Sequence, residues 1–473
     1  MTSESNSEVI AVVSDALAQE HQALAESMML NRELLERALA RVRKFVQEKN
    51  LIVYGGLAVH YAHLVNDLAI YGESTLPDYD VLSPDNVNDA YEMAQLLHAA
   101  DFPDVSVVRA IHVQTMRVRI GPVAVLDMTY VPPHIFEKVP IEVYQGIKFA
   151  GFRFQLIEMH SVFAYPFRNA PQEDAGFRWS KVQSRINSLL AVVDANGKGF
   201  PRLPPDANAF HTIAIPTISF PYAAAGFFAV ALLFDLYKLM QEKLELEFTP
   251  RHAELLGTTT DLKCPAFCDK VDVVVDHKTI PKGVVKKIFR PLMGFRNRTA
   301  EADLDGAPAR LWFLDGDLLA VVKVGSGSDA LLLPNAHYVM MYLLATAVEH
   351  PDRAEVCLSV YADLLDMARA VNQKLKAIDA PAEVILGNPF CVNTRVFGKD
   401  NYSEANLVSM QGFLARVEGI QPKPTHMLPK NHFFGKKEIK IEPYDYERGR
   451  AYFYDGSEYS APEESSDAAE ESS

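Results

Sequence analysis

The chain is short of cysteine: Cys264, Cys268, Cys357 and Cys391 are the only four in 473 residues. So few thiols, so scattered, exclude a disulfide framework and suit a reducing compartment. Cys264 and Cys268 stand four apart with no second close Cys or His pair, so they do not form a zinc signature. A secretory leader is not expected, because the start "MTSESNSEVIAVV" has neither a basic n-region nor a small-residue cleavage site. Nor is a membrane span. Residues 207–234 contain no Asp, Glu, Lys or Arg, yet Pro216 and Pro221 interrupt them, and the apolar part falls short of the ~20 residues a bilayer requires. That part runs on into "DLYKLMQEKLELE", as a domain helix with one buried end would. The expectation is a soluble, intracellular chain, long enough for two or three domains.

Positive charge is also scarce, with 46 Lys and Arg against 61 Asp and Glu and a formal net charge of −15. Taken as a total, that opposes a polyanionic partner, since nucleic-acid binding draws on cations facing phosphates. The distribution changes the reading. The end, "YDGSEYSAPEESSDAAEESS", has no Lys or Arg and is expected to be a disordered, solvated tail. Basic residues gather in "HKTIPKGVVKKIFRPLMGFRNR", which has no acid, and in "KNHFFGKKEIK". Lys286, Lys287, Arg290, Arg296 and Arg298, interleaved with Phe289 and Phe295, form the mix of charge and stacking surface that single strands use.

Chemistry concentrates between Leu51 and Tyr130. In "NRELLERALARVRKFVQEKN" the apolar residues Leu34, Leu35, Ala38, Val42 and Phe45 recur at helical spacing and lead into the short strand "LIVYGG". Gly55 and Gly56 end that strand, and "LAVHYAHL" continues as a helix, so the pair marks a strand-to-helix turn where a phosphate can approach backbone N–H groups. Downstream, Pro77 precedes "DYDVLS". Side chains alternate along a strand, so Asp78 and Asp80 point to one side. Three further strand-like runs, "VSVVRAI", "QTMRVRI" and "VAVLDMTYV", follow, with Gly121-Pro122 turning the last two into a hairpin. Asp127, in the last of them, is costly to bury unpaired. It serves either as a third metal-binding carboxylate or as an acid paired with Arg117 or Arg119 on the neighbouring strand. Read together, the three acids suit two hard Mg2+ or Mn2+ ions, which prefer carboxylate oxygens.

The Gly-Gly turn, "DYDVL" and "VLDMTYV" resemble the signature of polymerase-beta-type nucleotidyltransferases. Within that superfamily, "YGGLAVHYA", "LPDYDVLS" and "FRWSKVQSRINSLL" resemble the poly(A) polymerase catalytic subunits of poxviruses and giant nucleocytoplasmic DNA viruses, most clearly over residues 50–190. The resemblance implies an α+β (mixed α/β) fold: a mixed-sheet nucleotidyltransferase domain plus a second α/β domain, itself open to being a degenerate copy. It implies AMP transfer from ATP to RNA 3' ends with release of pyrophosphate, with Asp78, Asp80 and Asp127 as catalytic metal ligands. Gly55, Gly56, Lys181 and Arg185 would bind nucleotide, and Lys286, Lys287, Arg290, Arg296 and Arg298 would bind RNA. A homodimer, or a heterodimer with a processivity subunit, and a place in the host cytoplasm (the viral factory) or virion are implied as well. Leu57 stands where many superfamily members carry Ser, and the interval from Gly56 to Asp78 is longer than in most cellular relatives. A non-catalytic RNA-binding scaffold, an oligoadenylate synthase and a small-molecule adenylyltransferase are the alternatives.

The expected organisation is a polar lead and helix over 1–30, a catalytic domain over 31–193, a Gly/Pro/Asn-rich linker over 194–210, a C-terminal domain over 211–455 and an acidic tail over 456–473. Inside the C-terminal domain a helix is expected from Tyr222 into Glu247, and a hairpin in "RLWFLDGDLLAVVKV" with its turn at Asp315-Gly316.

Overall fold

A computed structural model describes residues 32–65, 78–110, 114–121, 123–165, 182, 185–193, 199–202, 209–252, 262–295, 298–304, 306–314, 319–324, 331–377, 395–397, 451–452 and 458–459. These residues group into two compact units. The first holds residues 32–137 and Ile141–Gly151, and the second holds Lys138–Pro140 and the residues from Phe152 onward.

The first unit is one seven-stranded mixed sheet with helices packed on it. Helix α1 (Arg32–Glu48) buries Leu35, Ala38, Val42, Phe45 and Val46, the stripe that its spacing predicts, while Leu34 stays half-buried. It leads into β1 (Ile52–Val53), helix α2 (Gly55–Leu64) and β2 (Tyr79–Ser83). Helix α3 (Asn86–His98), β3 (Val105–Arg109), β4 (Thr115–Ile120) and β5 (Val123–Tyr130) follow, then the short helix α4 (Pro133–Phe136), β6 (Ile141–Tyr144) and β7 (Ile147–Ala150). The sheet order is β3-β4-β5-β2-β1-β7-β6. Parallel pairing of β2 with β5 needs a crossover, which α3 and the β3–β4 hairpin provide. Central strands covered on both faces must be apolar on both faces, and Val125, Leu126 and Met128 are all buried in β5. Polar ties hold the crossover in place. Asn86 Nδ2 donates to the Gln114 and Met128 carbonyls at 2.8 and 3.1 Å, and Ser83 Oγ donates to the buried Asp89 at 2.5 Å.

In the second unit β8 (Phe210–Ile213) pairs with β10 (Leu262–Pro265). A larger sheet contains β9 (Tyr222–Ala224), β11 (Val271–Val275), β12 (Val285–Phe289), β13 (Thr299–Leu304) and β14 (Ala307–Phe313). Tyr222–Ala224 is a strand and not the start of the expected helix. Its backbone pairs antiparallel with Val273–Val275, and helix α6 begins only at Gly226 and ends at Leu244. The hairpin expected around Asp315-Gly316 is also absent among the described residues. β14 stays in this sheet, whereas β15 (Leu319–Val324) pairs in a separate sheet with β16 (Leu331–Pro334) and β17 (Arg395–Phe397). Helix α5 (Phe152–Ala164), expected in the catalytic domain, packs along α7 (Ala336–Glu349), as does α8 (Ala354–Ala377). The two units therefore divide at Gly151/Phe152 and not within 194–210. Two residues assigned to the acidic tail, Glu458 and Tyr459, pair as a short strand with Ala451–Tyr452. The lead over residues 1–30 and the rest of the tail lie outside the described residues.

The second large sheet repeats the first. β1 pairs antiparallel with β2, β2 parallel with β5, and β5–β4–β3 run antiparallel; β9, β11, β14, β13 and β12 repeat that order and those directions. Tyr54 N–H donates to the Asp80 carbonyl at 2.8 Å, and Ala225 N–H donates to the Asp272 carbonyl at 3.0 Å. Each aspartate faces a glycine of positive φ that opens a helix, Gly55 at 69° and Gly226 at 53°. The degenerate second copy to which the sequence was open is thus seen in this sheet, with Asp272 at the position of Asp80; Asp315 and Asp317, whose Asp-x-Asp spacing imitates the first pair, lie outside the described residues.

No helix among the described residues is long and apolar enough to cross a membrane. The core of the second unit is aromatic, with Trp312, Tyr237, Tyr338, Tyr361, Phe227, Phe228 and Phe234 fully buried. A buried polar chain runs through it: His160 Nδ1 meets His337 Nδ1 at 2.8 Å, and His160 Nε2 meets Tyr361 Oη at 2.8 Å. Burial holds His160 well below its ordinary pKa and, with Arg353 nearby, pushes His350 down to about 4. Both groups enter the folded state neutral. The unfolded chain therefore takes up protons first as pH falls below about 6.5, and stability drains away until the folded groups titrate. The melting temperature is expected to hold at neutral pH and fall between pH 6.5 and 4, and His350→Gln should flatten that fall in melts monitored by circular dichroism.

Candidate active site

The site is assembled by register. In the parallel β2–β5 pair Asp80 lies directly beside Asp127, and Asp78 stands one residue before the first residue of β2. Exposure falls inward: Asp78 is exposed, Asp80 is half-buried and Asp127 is buried at 5 %. On β4, Arg117 is the cross-strand partner of Asp127. Its Nε–H donates to Asp127 Oδ1 at 2.7 Å and its Nη2 donates to Oδ2 at 2.6 Å, a bidentate pair. That hydrogen bonding, with the charges of Asp127, Asp78 and Asp80, raises the Arg117 pKa. The pairing weighed from the sequence is thus present, with Arg117 and not Arg119.

Gly55 makes room for Asp80. A Cβ at this residue would lie 2.5 Å from Asp80 Oδ2, so the missing side chain is the space the carboxylate occupies. Gly56 is buried inside the first turn of α2. A hydroxyl chain that sequence reading missed borders the acids: Tyr54 Oη meets Thr129 Oγ1 at 2.7 Å, and Thr129 Oγ1 meets Thr115 Oγ1 at 2.7 Å. Thr129 is two residues beyond Asp127 on one strand face; that spacing was the available signal, but only pairing with β4 brings Thr115 to it, and only the sheet order β5-β2-β1 brings Tyr54, the residue after β1.

As a ligand set the acids are hard oxygen donors on rigid strands, the type suited to Mg2+ or Mn2+. Among the described residues no three His, Cys, Asp or Glu side chains converge closely enough to hold an ion as they stand. Arg117 engages both oxygens of Asp127. The second copy inverts the charges. Lys270 stands two residues before Asp272, and the strand neighbour of Asp272 is Arg310. Arg310 Nη1 lies 3.8 Å from Asp272 Oδ1, and Trp312 Nε1 donates to the same oxygen at 3.0 Å.

This arrangement meets a family match. Residues 40–169 match the family described as "Poly(A) polymerase catalytic subunit". The resemblance is to viral poly(A) polymerase catalytic subunits. A protein of African swine fever virus given that name is 29 % identical over 470 residues, covering 90 % of this chain and 94 % of its own length. One of Acanthamoeba polyphaga mimivirus is 26 % identical over 181 residues, covering 38 % of this chain and 30 % of its own. The crystal structure of the Megavirus polyadenylate synthase shares the fold, with a TM-score of 0.57 at 16 % identity over 98 % of this chain and 93 % of that one.

The other residues that the poly(A) polymerase resemblance singled out are dispersed. Lys181, Arg296 and the segment Lys430–Lys440 lie outside the described residues. Arg185 is half-buried in a helix over 185–193 of the second unit. Lys286 pairs with Asp303 at 2.7 Å, Lys287 lies 5.2 Å from the Phe289 ring and Arg298 5.8 Å from the Phe313 ring. Arg290 is buried at 8 %, and the two expected stacking rings, Phe289 and Phe295, are buried too, the latter against Trp312 and Tyr338. Phe289 at the end of β12, and Arg290 and Phe295 after it, are thus used for packing, which corrects their expected exposure to RNA. Gly55→Ala is expected to lower stability by at least ~2 kcal/mol, from positive φ and from displacing Asp80. Gly121→Ala, whose φ is 55° with nothing within 4 Å, is expected to cost about half as much in urea unfolding.

Proposed function

We infer that the chain is a template-independent polyadenylate polymerase whose first unit transfers AMP from ATP to RNA 3' ends and releases pyrophosphate. The observation that carries this reading is the register placing Asp80 beside Asp127, with Asp78 just before the same strand, in a chain matched along 90 % of its length by a viral poly(A) polymerase catalytic subunit. Asp78 and Asp80 would hold the ion on the triphosphate, and all three acids the ion at the primer hydroxyl. Bound there, Mg2+ or Mn2+ would neutralise phosphate charge and make the 3'-hydroxyl a better nucleophile. The chain's own part is positional. Rigid strand backbone fixes the three carboxylates, Gly55 gives Asp80 its room, and the Tyr54–Thr129–Thr115 hydroxyls line the side next to Asp127. Turnover belongs to the first unit alone, because Lys270 and Arg310 replace two of the three acids in the second.

RNA would lie along the exposed Lys286, whose phosphate contact would replace its pair with Asp303, and the half-buried Lys287 and Arg298, with Arg290 contributing to packing. The enzyme would act as a homodimer in the cytoplasm of an infected cell; a partner processivity subunit is the rival arrangement, and sedimentation of the purified chain separates them.

With labelled ATP, Mg2+ and an RNA primer, the wild-type chain should extend the primer. Asp80→Asn and Asp127→Asn should each lower the rate by about a hundredfold or more, because loss of a metal ligand removes charge neutralisation in the transition state. Asp272→Asn, at the equivalent position of the second copy, should extend at close to the wild-type rate. A chain that binds RNA but adds no nucleotide would leave the scaffold reading in place; addition of AMP only to a small molecule would point to the adenylyltransferase.

A further inference from the structure

Arg117 has no place in the reaction outlined above, yet it is the cation closest bound to the carboxylate set. It takes both oxygens of Asp127 at 2.7 and 2.6 Å, and the charges of Asp78 and Asp80 act on it as well. An ion bound at Asp127 must take at least one of those oxygens, so guanidinium and metal compete for the same lone pairs. The guanidinium is able to leave. Its side chain is 35 % exposed while that of Asp127 is 7 % exposed, so withdrawal toward solvent costs Arg117 little hydration, whereas Asp127 without a partner would be a bare buried charge.

The second copy supplies an independent observation. There the strand neighbour of the conserved-in-place aspartate is itself an arginine: Arg310 takes the position of Asp127 and lies 3.8 Å from Asp272, while Glu301 takes the position of Arg117. The same fold, lacking the acids for a metal, sets a guanidinium against its remaining carboxylate. Arg310 does permanently, from β14, what Arg117 does from β4 as long as no ion is bound.

We propose that Arg117 is a built-in counter-ion that holds Asp127 in the metal-free enzyme and must be displaced for a divalent cation to bind there, so that it sets the metal affinity of the site. The inference rests on the metal reading of the three acids. It assigns Arg117 a positioning role, acting through Asp127. The opposite role, a guanidinium that orients Asp127 toward the ion, makes the contrary forecast for the same variant.

The test is Mn2+ binding to the full chain without nucleotide, read from the electron paramagnetic resonance signal of free Mn2+. Arg117→Met should bind Mn2+ about tenfold more tightly than wild type at the site that Asp127→Asn removes, since a charge-assisted bidentate pair no longer has to be broken. In chelator it should melt below wild type, with added Mn2+ closing the gap. Arg117→Lys, which keeps the charge but loses the fork, should fall between the two and serves if Arg117→Met does not fold. Mn2+ binding to wild type that Arg117→Met leaves unchanged or weakens, or that Arg117→Lys leaves unchanged where only that variant folds, overturns the counter-ion role and leaves the metal reading standing. Absence of Asp127-dependent Mn2+ binding in wild type and variants alike removes the metal reading and this inference with it.

Discussion

Everything in the first unit turns on a buried carboxylate that needs a cation. Asp127 sits in a strand whose neighbours Leu126 and Met128 are fully buried, and an ionised acid there is tolerable only when paired. The structure meets that demand with Arg117, whose guanidinium fork takes both oxygens of Asp127. Strand order, the crossover through α3 and the Gly55 turn all serve to place two more acids beside this one.

The second unit shows what the scaffold is without that constraint. It retains the strand order, the left-handed glycine facing an aspartate and the backbone hydrogen bond that closes the turn, but its charges are swapped. The geometry is therefore a property of the fold, and the proposed metal chemistry rests on three side chains placed on it. Asp272 lies buried between Arg310 and Trp312 as a packing element, at the position where Asp80 is a proposed ligand.

The basic segment after Asp276 illustrates how composition misleads. Charge and aromatics alternate there as on a strand-binding surface, but β12 is an interior strand of its sheet, and Phe289 at its end, with Arg290 and Phe295 beyond it, is buried. Lys286 is spent on Asp303 across the sheet. The side of the sheet a residue faces, which decides exposure, depends on pairing partners far away in the chain.

From the sequence alone came the local facts: the amphipathic α1, the strand-to-helix turn at Gly55, the strand that carries Asp80 and the apolar setting of Asp127. Each follows from a period of two or 3.6 residues or from glycine, signals that act over a few positions. Pairing decided the rest. That Asp80 stands beside Asp127, that Arg117 and not Arg119 holds the buried acid, that Tyr222–Ala224 is a strand and that Asp272 is the second copy of Asp80 all depend on register between segments dozens of residues apart. Hydrogen-bonded register is set by the packing of the whole sheet, so no short-range pattern in the chain encodes it.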